Sequence, residues 1–448
     1  MALNLSTLTS PTTSGDVLAE MLTTADFLDS VPVLRNIASG SNKGGDAKQT
    51  TALNQPKALP VIDGKGYLYL NGVSGNYASV PDPLGALGDF VMEAVDVYLP
   101  DWNVSGEKVF FSQYGHSGEN DSFIFRQSGA NINLYSIYDG GAGARSFNFT
   151  HGLSGAATAS FRVIRSGTTV SAEIDTGAGY TSIGSPQSIG STENLVNSAG
   201  ILEIGARDFG VGYASLLGKI SRARIWNNGT ASGTPVLDVD FTATNIRHGD
   251  TKFKCATGQT VTINQSGNDP ATVIKKSVLR FDGVNDFMDG VFGQTITEGY
   301  MFAAFSVLGD GGSAAGRIFG GNSTGVHDYQ SGGFTLRRSG STDSIQLRYN
   351  GGSEVTHSNV FDGARGDFLL ESPLKAGNQN SKINNADADD GASNLPDALS
   401  SEEFIIAGQP WGEAAAIDLE YLALFPATLS DAEAGSVVTY INTRNNVF

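Results

Sequence analysis

Thirteen residues, Val278 to Gly290, read V-L-R-F-D-G-V-N-D-F-M-D-G, and a near-copy lies about two hundred residues earlier. Tyr67 to Pro81 reads Y-L-Y-L-N-G-V-S-G-N-Y-A-S-V-P, so Leu68, Leu70, Asn71-Gly72-Val73 and Tyr77 answer Leu279, Phe281, Asp282-Gly283-Val284 and Phe287. A second pair of echoes closes each stretch. Leu202 to Trp226 runs L-E-I-G-A-R then L-G-K-I-S-R-A-R-I-W; Phe404 to Phe425 runs F-I-I-A-G-Q then I-D-L-E-Y-L-A-L-F. Two openings and two closings in the same order imply an internal duplication, so whatever fold one half adopts the other must also accommodate.

The local pattern says what that fold is. Each opening is a short apolar strand, a turn built on Asn-Gly or Asp-Gly, and a second strand. Between the echoes, period-2 runs recur: Phe90–Leu99, Val109–Gln113, Ser122–Arg126, Asn131–Ser136, and Ala159–Arg165 with Thr169–Asp175 around Ser166-Gly167-Thr168. In the second half, Phe302–Val307, Arg317–Phe319, Gly333–Arg337 and Ser344–Tyr349 continue it. With 57 glycines and only 17% charged residues among 448, the chain reads as all-β, too long for one core.

The motifs L-x-F-D-G-V-N-D-F at the opening and, at the close, an alternating strand ending in Trp or Phe and then L-S-D-A-E resemble the laminin-G-like, or concanavalin-A-like, jelly roll. The resemblance covers roughly residues 67–228 and 278–448. It implies two tandem antiparallel β-sandwiches, with inner faces about 10 Å apart. It leaves function open, because the family includes lectins, glycan hydrolases, adhesion modules and viral particle proteins. The expected domains are an extended N-terminal arm over 1–60, a first sandwich over 61–245, a linker over 246–277 and a second sandwich over 278–448.

Within the arm, apolar residues at 17, 18, 21, 22, 25 and 28 follow helical spacing, with Asp16 as N-cap and Glu20 in the first turn. Such a helix has no local core and is expected to dock on a partner. Near the C-terminus, Ser430 and Glu433 form a capping box, and Val437, Val438 and Ile441 line one side of a terminal helix. In the connector, Pro235–Phe241 and Gln259–Ile263 look like strands that either complete the first sandwich or form a bridging hairpin.

Charge and cysteine narrow the partners. The net charge is −18, and residues 278–448 carry −13 of it, so a basic nucleic-acid footprint is not expected. No run approaches the roughly 20 apolar residues of a membrane span. Cys255 is the sole cysteine, which excludes an intrachain disulfide, and the N-terminus has no secretory pattern. An adhesion-like protein built without an export signal fits a virion component made in a host cytoplasm. The expectation is a bacteriophage capsid decoration (cement or head-fibre) protein. Residues 1–60 would bind the major capsid protein or other virion proteins, and homo-oligomerisation, as in a trimer, is expected. The alternative is a carbohydrate-binding adhesin or tail-fibre receptor-binding protein that holds a host surface glycan.

No enzyme is expected. Jelly-roll glycan hydrolases need paired carboxylates on one strand face. Glu93 and Asp96, three apart, fall on opposite faces of a regular strand. Asp418 and Glu420 share a face but lack a third acid. His116, His151, His248, His327 and His357 are scattered in polar, loop-like sequence. The run Asn385-Ala-Asp387-Ala-Asp389-Asp390-Gly391 imitates the start of a calcium loop, making Asp387, Asp389 and Asp390 the candidate metal ligands. Asp390 stands where an EF-hand needs Gly, and Pro396 where it needs Glu. Tyr329, Trp411 and Trp102, in Gly-rich loops, are candidate sugar-stacking residues, while Trp226 is expected in the core.

Overall fold

The computed structural model describes residues 19–23, 33–36, 47–48, 57–59 and 61, and then 65–445 apart from loops. The undescribed loops of five residues or more are 115–121, 208–214, 310–315, 323–332, 359–366, 375–380, 388–400 and 409–413. The chain divides into two compact units, residues 61–275 and residues 276–448 together with 1–60.

The first unit is a sandwich of two antiparallel sheets. One has eight strands, in the order Gly143–Thr150, Asn131–Tyr138, Phe123–Ser128, Glu107–Gln113, Leu202–Ile204, Tyr77–Val80, Thr260–Asn264, Lys252–Lys254. The other runs Thr181–Ser188, Thr169–Asp175, Ala157–Ser166, Phe90–Leu99, Leu217–Ile220, Tyr67–Asn71, Thr272–Ile274. Arg222–Trp226 also pairs with Phe90–Leu99 and carries Leu237–Asp240 on its far side. Alternate residues turn inward. Phe110 and Phe161 stack at 5.7 Å, and Phe125 meets Phe110 and Phe111 edge-on. Each fully buried aromatic of this kind contributes roughly 1.5–3 kcal/mol by leaving water.

The segment read as a linker, 246–277, is part of this sandwich. Val261 and Ile263 turn into its core from one sheet and Val273 from the other. Runs of three to five residues carry too little periodicity to be placed until their neighbours are known.

The second unit is a single sixteen-stranded sheet folded over its own core. One half holds Ser353–His357, Ser344–Tyr349, Phe334–Ser339, Arg317–Asn322, Ser401–Ile406 and Met288–Ile296 in that order. The other holds Ala416–Phe425, Gly299–Gly309, Asp367–Leu374, Lys382–Ile383 and Ala386–Asp387. Three N-terminal strands, Ala47–Lys48, Val33–Asn36 and Ala19–Thr23, join the halves. A fourth, Lys57–Leu59, pairs with Val278–Asp282.

The helix expected near residues 16–28 is therefore a strand where it is described. Ala19, Glu20 and Met21 pair with Leu424, Ala423 and Leu422. An apolar run as short as 17–22 fits either period, and the open ladder of Ala416–Phe425 settles it by supplying backbone partners. The terminal helix Asp431–Asn445 is present, and its capping box forms as expected. Ser430 Oγ donates to Glu433 Oε2 at 2.7 Å and accepts from the Glu433 amide at 3.4 Å. Val437, Val438 and Ile441 cover Phe302, Ala304, Tyr421, Ala423 and Phe425 on the outer face of the sheet.

Pairing registers match between the units. Asn71, Tyr69 and Leu68 face Leu217, Lys219 and Ile220, while Asp282, Arg280 and Leu279 face Ala416, Asp418 and Leu419. Ala94, Glu93 and Met92 face Ala223, Arg224 and Ile225, while Ala303, Phe302 and Met301 face Leu422, Ala423 and Leu424. The duplication read from the sequence is a duplication of strand register.

Candidate functional site

On the outer face of the first unit's second sheet, register lines up one row of charges across five strands. Glu173, Arg162, Glu93, Arg224 and Asp238 are successive cross-strand partners. Glu93 at the centre is fully buried, and its two oxygens accept from Arg162 Nε at 2.6 Å and Arg224 Nε at 2.5 Å. Arg222 grips Asp238 with two hydrogen bonds of 2.7 and 2.6 Å. Arg162 lies 3.7 Å above the Tyr180 ring and Arg224 4.9 Å from the Trp226 ring. Burial, and after it the Glu93 carboxylate, push the Tyr180 phenol well above its usual pKa. Trp226 is buried but on this outer face, not between the sheets where the sequence places it.

Asp96 reaches the same face. Phe90, Met92, Ala94, Val97 and Leu99 enter the core, so one extra residue sits between 94 and 97. Pairing with the neighbouring strand jumps between Ala159 and Phe161 at this point, and Asp96 takes a left-handed φ of 49°. The bulge puts Glu93 and Asp96 on one side, where uninterrupted alternation puts them on two. Ser160 Oγ accepts from the Asp96 amide at 3.0 Å. Lys219 stands nearby, 4.8 Å from the Tyr67 ring and 5.4 Å from the Tyr98 ring. Burial lowers its pKa to about 8 against an upward pull from Asp96.

This row is a cross-brace. Its carboxylates are tied to guanidiniums, and the Tyr180 and Trp226 rings already carry cations. The acid pair of the second unit behaves alike. Asp418 accepts both arms of Arg280 at 2.7 Å, with side-chain exposures of 0% and 1%, and Glu420 accepts Lys276 at 2.9 Å. At the register of Glu93 and Arg224, the second unit has Phe302 and Ala423, and the terminal helix seals them.

The outer face of the eight-stranded sheet is different. Register rows place Asn148, Asn133, Arg126 and Val109 side by side, and Ser146, Tyr135, Ile124, Ser112, Glu203, Ser79 and Thr262 in the next row. Arg126 Nη1 and Arg207 Nη1 both reach Glu107 Oε2, at 2.6 and 3.4 Å, so two cations share one carboxylate. Glu107 and Arg207 are about a third exposed. Arg126 Nε also donates to Asn133 Oδ1 at 2.9 Å, and the Asn133 amide donates to Ser146 and Asn148. Half-buried Tyr135 meets half-buried Tyr114 edge-on at 6.1 Å, over Val109 and Ile124. Planar polar groups, two guanidiniums (Arg126 and Arg207) with the carboxylates of Glu107 and Glu203, and an aromatic pair thus lie together. Sequence reading missed them: none belongs to a motif, and Arg207 is distant in the chain from the hairpin that carries Arg126 and Tyr135. At the register of Glu203 and Ser112 the second unit has Ile405 and Gly320.

The other expected site residues fall as follows. Asp387 pairs with Lys382 in a two-residue ladder; Asp389 and Asp390 lie outside the described residues, as do Tyr329, Trp411, His116 and His327. Among the described residues no group of three metal-ligating side chains gathers. Trp102 is fully buried, donating to the Ala157 carbonyl at 2.8 Å, so it offers no stacking surface. The described histidines are buried rather than exposed in loops: His151 against Trp102, His248 accepting from the Lys275 amide, and His357 with Ser381 at 2.7 Å.

Antiparallel strands packed about a core in each unit, with matching registers, decide the fold class. The chain is all-β, built of antiparallel β-sandwich units in tandem. No protein-family model matches it, and no curated protein sequence does. Solved structures with a similar layout include mouse laminin alpha1 chain domains LG4-5 (12% identity, TM-score 0.29, covering 84% of this chain and 93% of that one). A putative carbohydrate-binding protein from Bacteroides ovatus matches at 18% identity and TM-score 0.32, over 44% of this chain and 58% of that one. A SAP-like pentraxin from Limulus polyphemus matches at 13% and 0.29, over 38% and 80%. At such scores the likeness says nothing about what the sandwiches of this chain bind.

Proposed function

We propose that the chain is a non-enzymatic binding protein whose first sandwich holds a glycan, with acidic sugars preferred, on the outer face of its eight-stranded sheet. The observation that carries this is the pairing of Tyr114 and Tyr135 beside Arg126 and Arg207, two guanidiniums with one carboxylate between them. Sugar rings present C–H faces that pack on aromatic rings, and sugar carboxylates match a guanidinium fork. Of the carboxylates weighed for hydrolysis, Glu93, Asp418 and Glu420 are bound by cationic side chains and Asp96 accepts from Ser160 Oγ, so the reading carries no catalytic step.

Capsid decoration is the weaker reading. It rested on a free N-terminal arm, and the described strands between residues 19 and 59 are taken up in the second unit. A glycan array with the full chain, alongside Arg207→Ala and Tyr135→Ala, tests the proposal. Binding to carboxylated glycans should fall at least about tenfold in each variant, as for a lost charge-assisted contact of roughly 1.5–3 kcal/mol, and should weaken with salt. No bound glycan on the array, together with ordered attachment to virus particles, would reverse the ranking.

A further inference from the structure

The strands that complete each sandwich come from outside its repeat, and they correspond. In the first unit Leu237–Asp240 pairs with Arg222–Trp226, Thr260–Asn264 with Tyr77–Val80, and Thr272–Ile274 with Tyr67–Asn71. In the second, Ala19–Thr23 pairs with Ala416–Phe425, Ala47–Lys48 with Met288–Ile296, and Lys57–Leu59 with Val278–Asp282. The correspondence holds residue by residue. Asp238 faces Arg224, and Glu20 faces Ala423, which is the register equivalent of Arg224. Each repeat is therefore a completing segment followed by a sandwich.

The two segments are used differently. Residues 237–274 complete the sandwich that precedes them. Residues 19–59 have no sandwich before them within these 448 residues, and they close onto the second one, across the whole length of the first.

We propose that residues 19–59 are an exchangeable donor, which completes the second sandwich of another copy of this chain as well as that of its own. Donation between copies would repeat the arrangement already seen inside the chain, with a completing segment following the sandwich it finishes. The hydrogen bonds and register are the same in both states, so the free-energy difference is confined to the connections and to concentration. Seven residues separate Lys57–Leu59 from Tyr67–Asn71 in the sequence, and a short connection favours exchange. The contact is head-to-tail: each copy gives one segment and accepts one, so the assemblies are rings or open filaments.

The test uses two full-length variants, Glu20→Cys and Ala423→Cys, whose positions face each other in the ladder. Each is unfolded and refolded in a mixture with the other, over a hundredfold range of concentration, and then oxidised. Disulfide-linked peptides are mapped by mass spectrometry, which separates them from those of Cys255. Exchange predicts a 20–423 disulfide between different chains. Its yield should rise about tenfold for a tenfold rise in concentration while closed monomer dominates. The double variant reports whether the pairing forms at all. If it gives the internal disulfide while the mixture gives no interchain product at any concentration, exchange is overturned. If the double variant forms no 20–423 disulfide either, the ladder contact itself is wrong and the proposal fails with it.

Discussion

Glu93 is held by two arginines from two neighbouring strands, and its removal shows what the bracing row contributes. Glu93→Gln would leave Arg162 and Arg224, each about a quarter exposed, facing each other across a fully buried neutral side chain. Breaking a buried pair by deleting one partner costs about 3–5 kcal/mol, so urea unfolding of the first sandwich should move to lower denaturant by that amount with an unchanged slope. A loss under 1 kcal/mol would mean that the row is solvated. His151 supplies a pH dependence of definite sign. Burial holds its pKa below the ordinary 6.5, opposed by a hydrogen bond to the Gly129 carbonyl. The unfolded chain therefore takes the proton first. Its stabilising contribution is complete above about pH 6.5 and is lost as pH falls towards the folded value. Between pH 7.5 and 5 the wild-type melting temperature should drop further than that of His151→Asn, which keeps an acceptor for the Leu153 amide. Equal drops would remove His151 from the balance.

At the scale of single elements, the bulge at Asp96 decides which side chains share a face. Its left-handed φ, the ladder jump and the Ser160 hydrogen bond belong together. Asp96→Asn should be nearly neutral, because Asn tolerates this conformation, whereas β-branched Asp96→Val should destabilise by about 1–3 kcal/mol. Equilibrium unfolding distinguishes them, and equal effects would mean that the bulge relaxes. The same bulge marks where sequence reading stops. Turns such as Asn71-Gly72 and Asp282-Gly283, the long alternating strands and the cap at Ser430 are local and were legible. A bulge adds one residue to a strand without changing its composition, so the face of Asp96 could be fixed only by its partner strand. The N-terminal segment failed for a related reason: 17–22 fits helix or strand, and residues 422–424 decide between them. Arg207 was invisible beside Arg126 and Tyr135 because only non-local pairing brings it to the hairpin that carries them.

For the molecule as a whole, the duplication preserved a frame and let the chemistry on it diverge. Equivalent positions hold Glu93 and Phe302, Arg224 and Ala423, Glu203 and Ile405; one unit braces a face with ion pairs where the other seals it with a helix. The frames also differ in what they need. The first is built from residues 61–275 alone, whereas the second draws on residues before 61. Deleting residues 1–60 should leave a protease-resistant core ending near Lys275 with its own melting transition, while the second sandwich loses cooperativity or melts far lower. Calorimetry with limited proteolysis would show this, and two intact transitions would contradict it.

The pairing of Met21 with Leu422 also fixes an order of events at the ribosome. The first sandwich has all its strands once residue 274 has emerged. The strand Ala19–Thr23, made first, must wait for a partner made about four hundred residues later. At about 5–20 residues per second that wait is roughly 20–80 s. From residue 274 onward, a nascent chain carries a finished domain with an upstream strand that has Val33–Asn36 on one side and still lacks its other neighbour. Neighbouring chains on the same messenger would carry theirs at the same time, so polysome crowding, chaperone capture and translation speed would influence which second sandwich each strand finally enters.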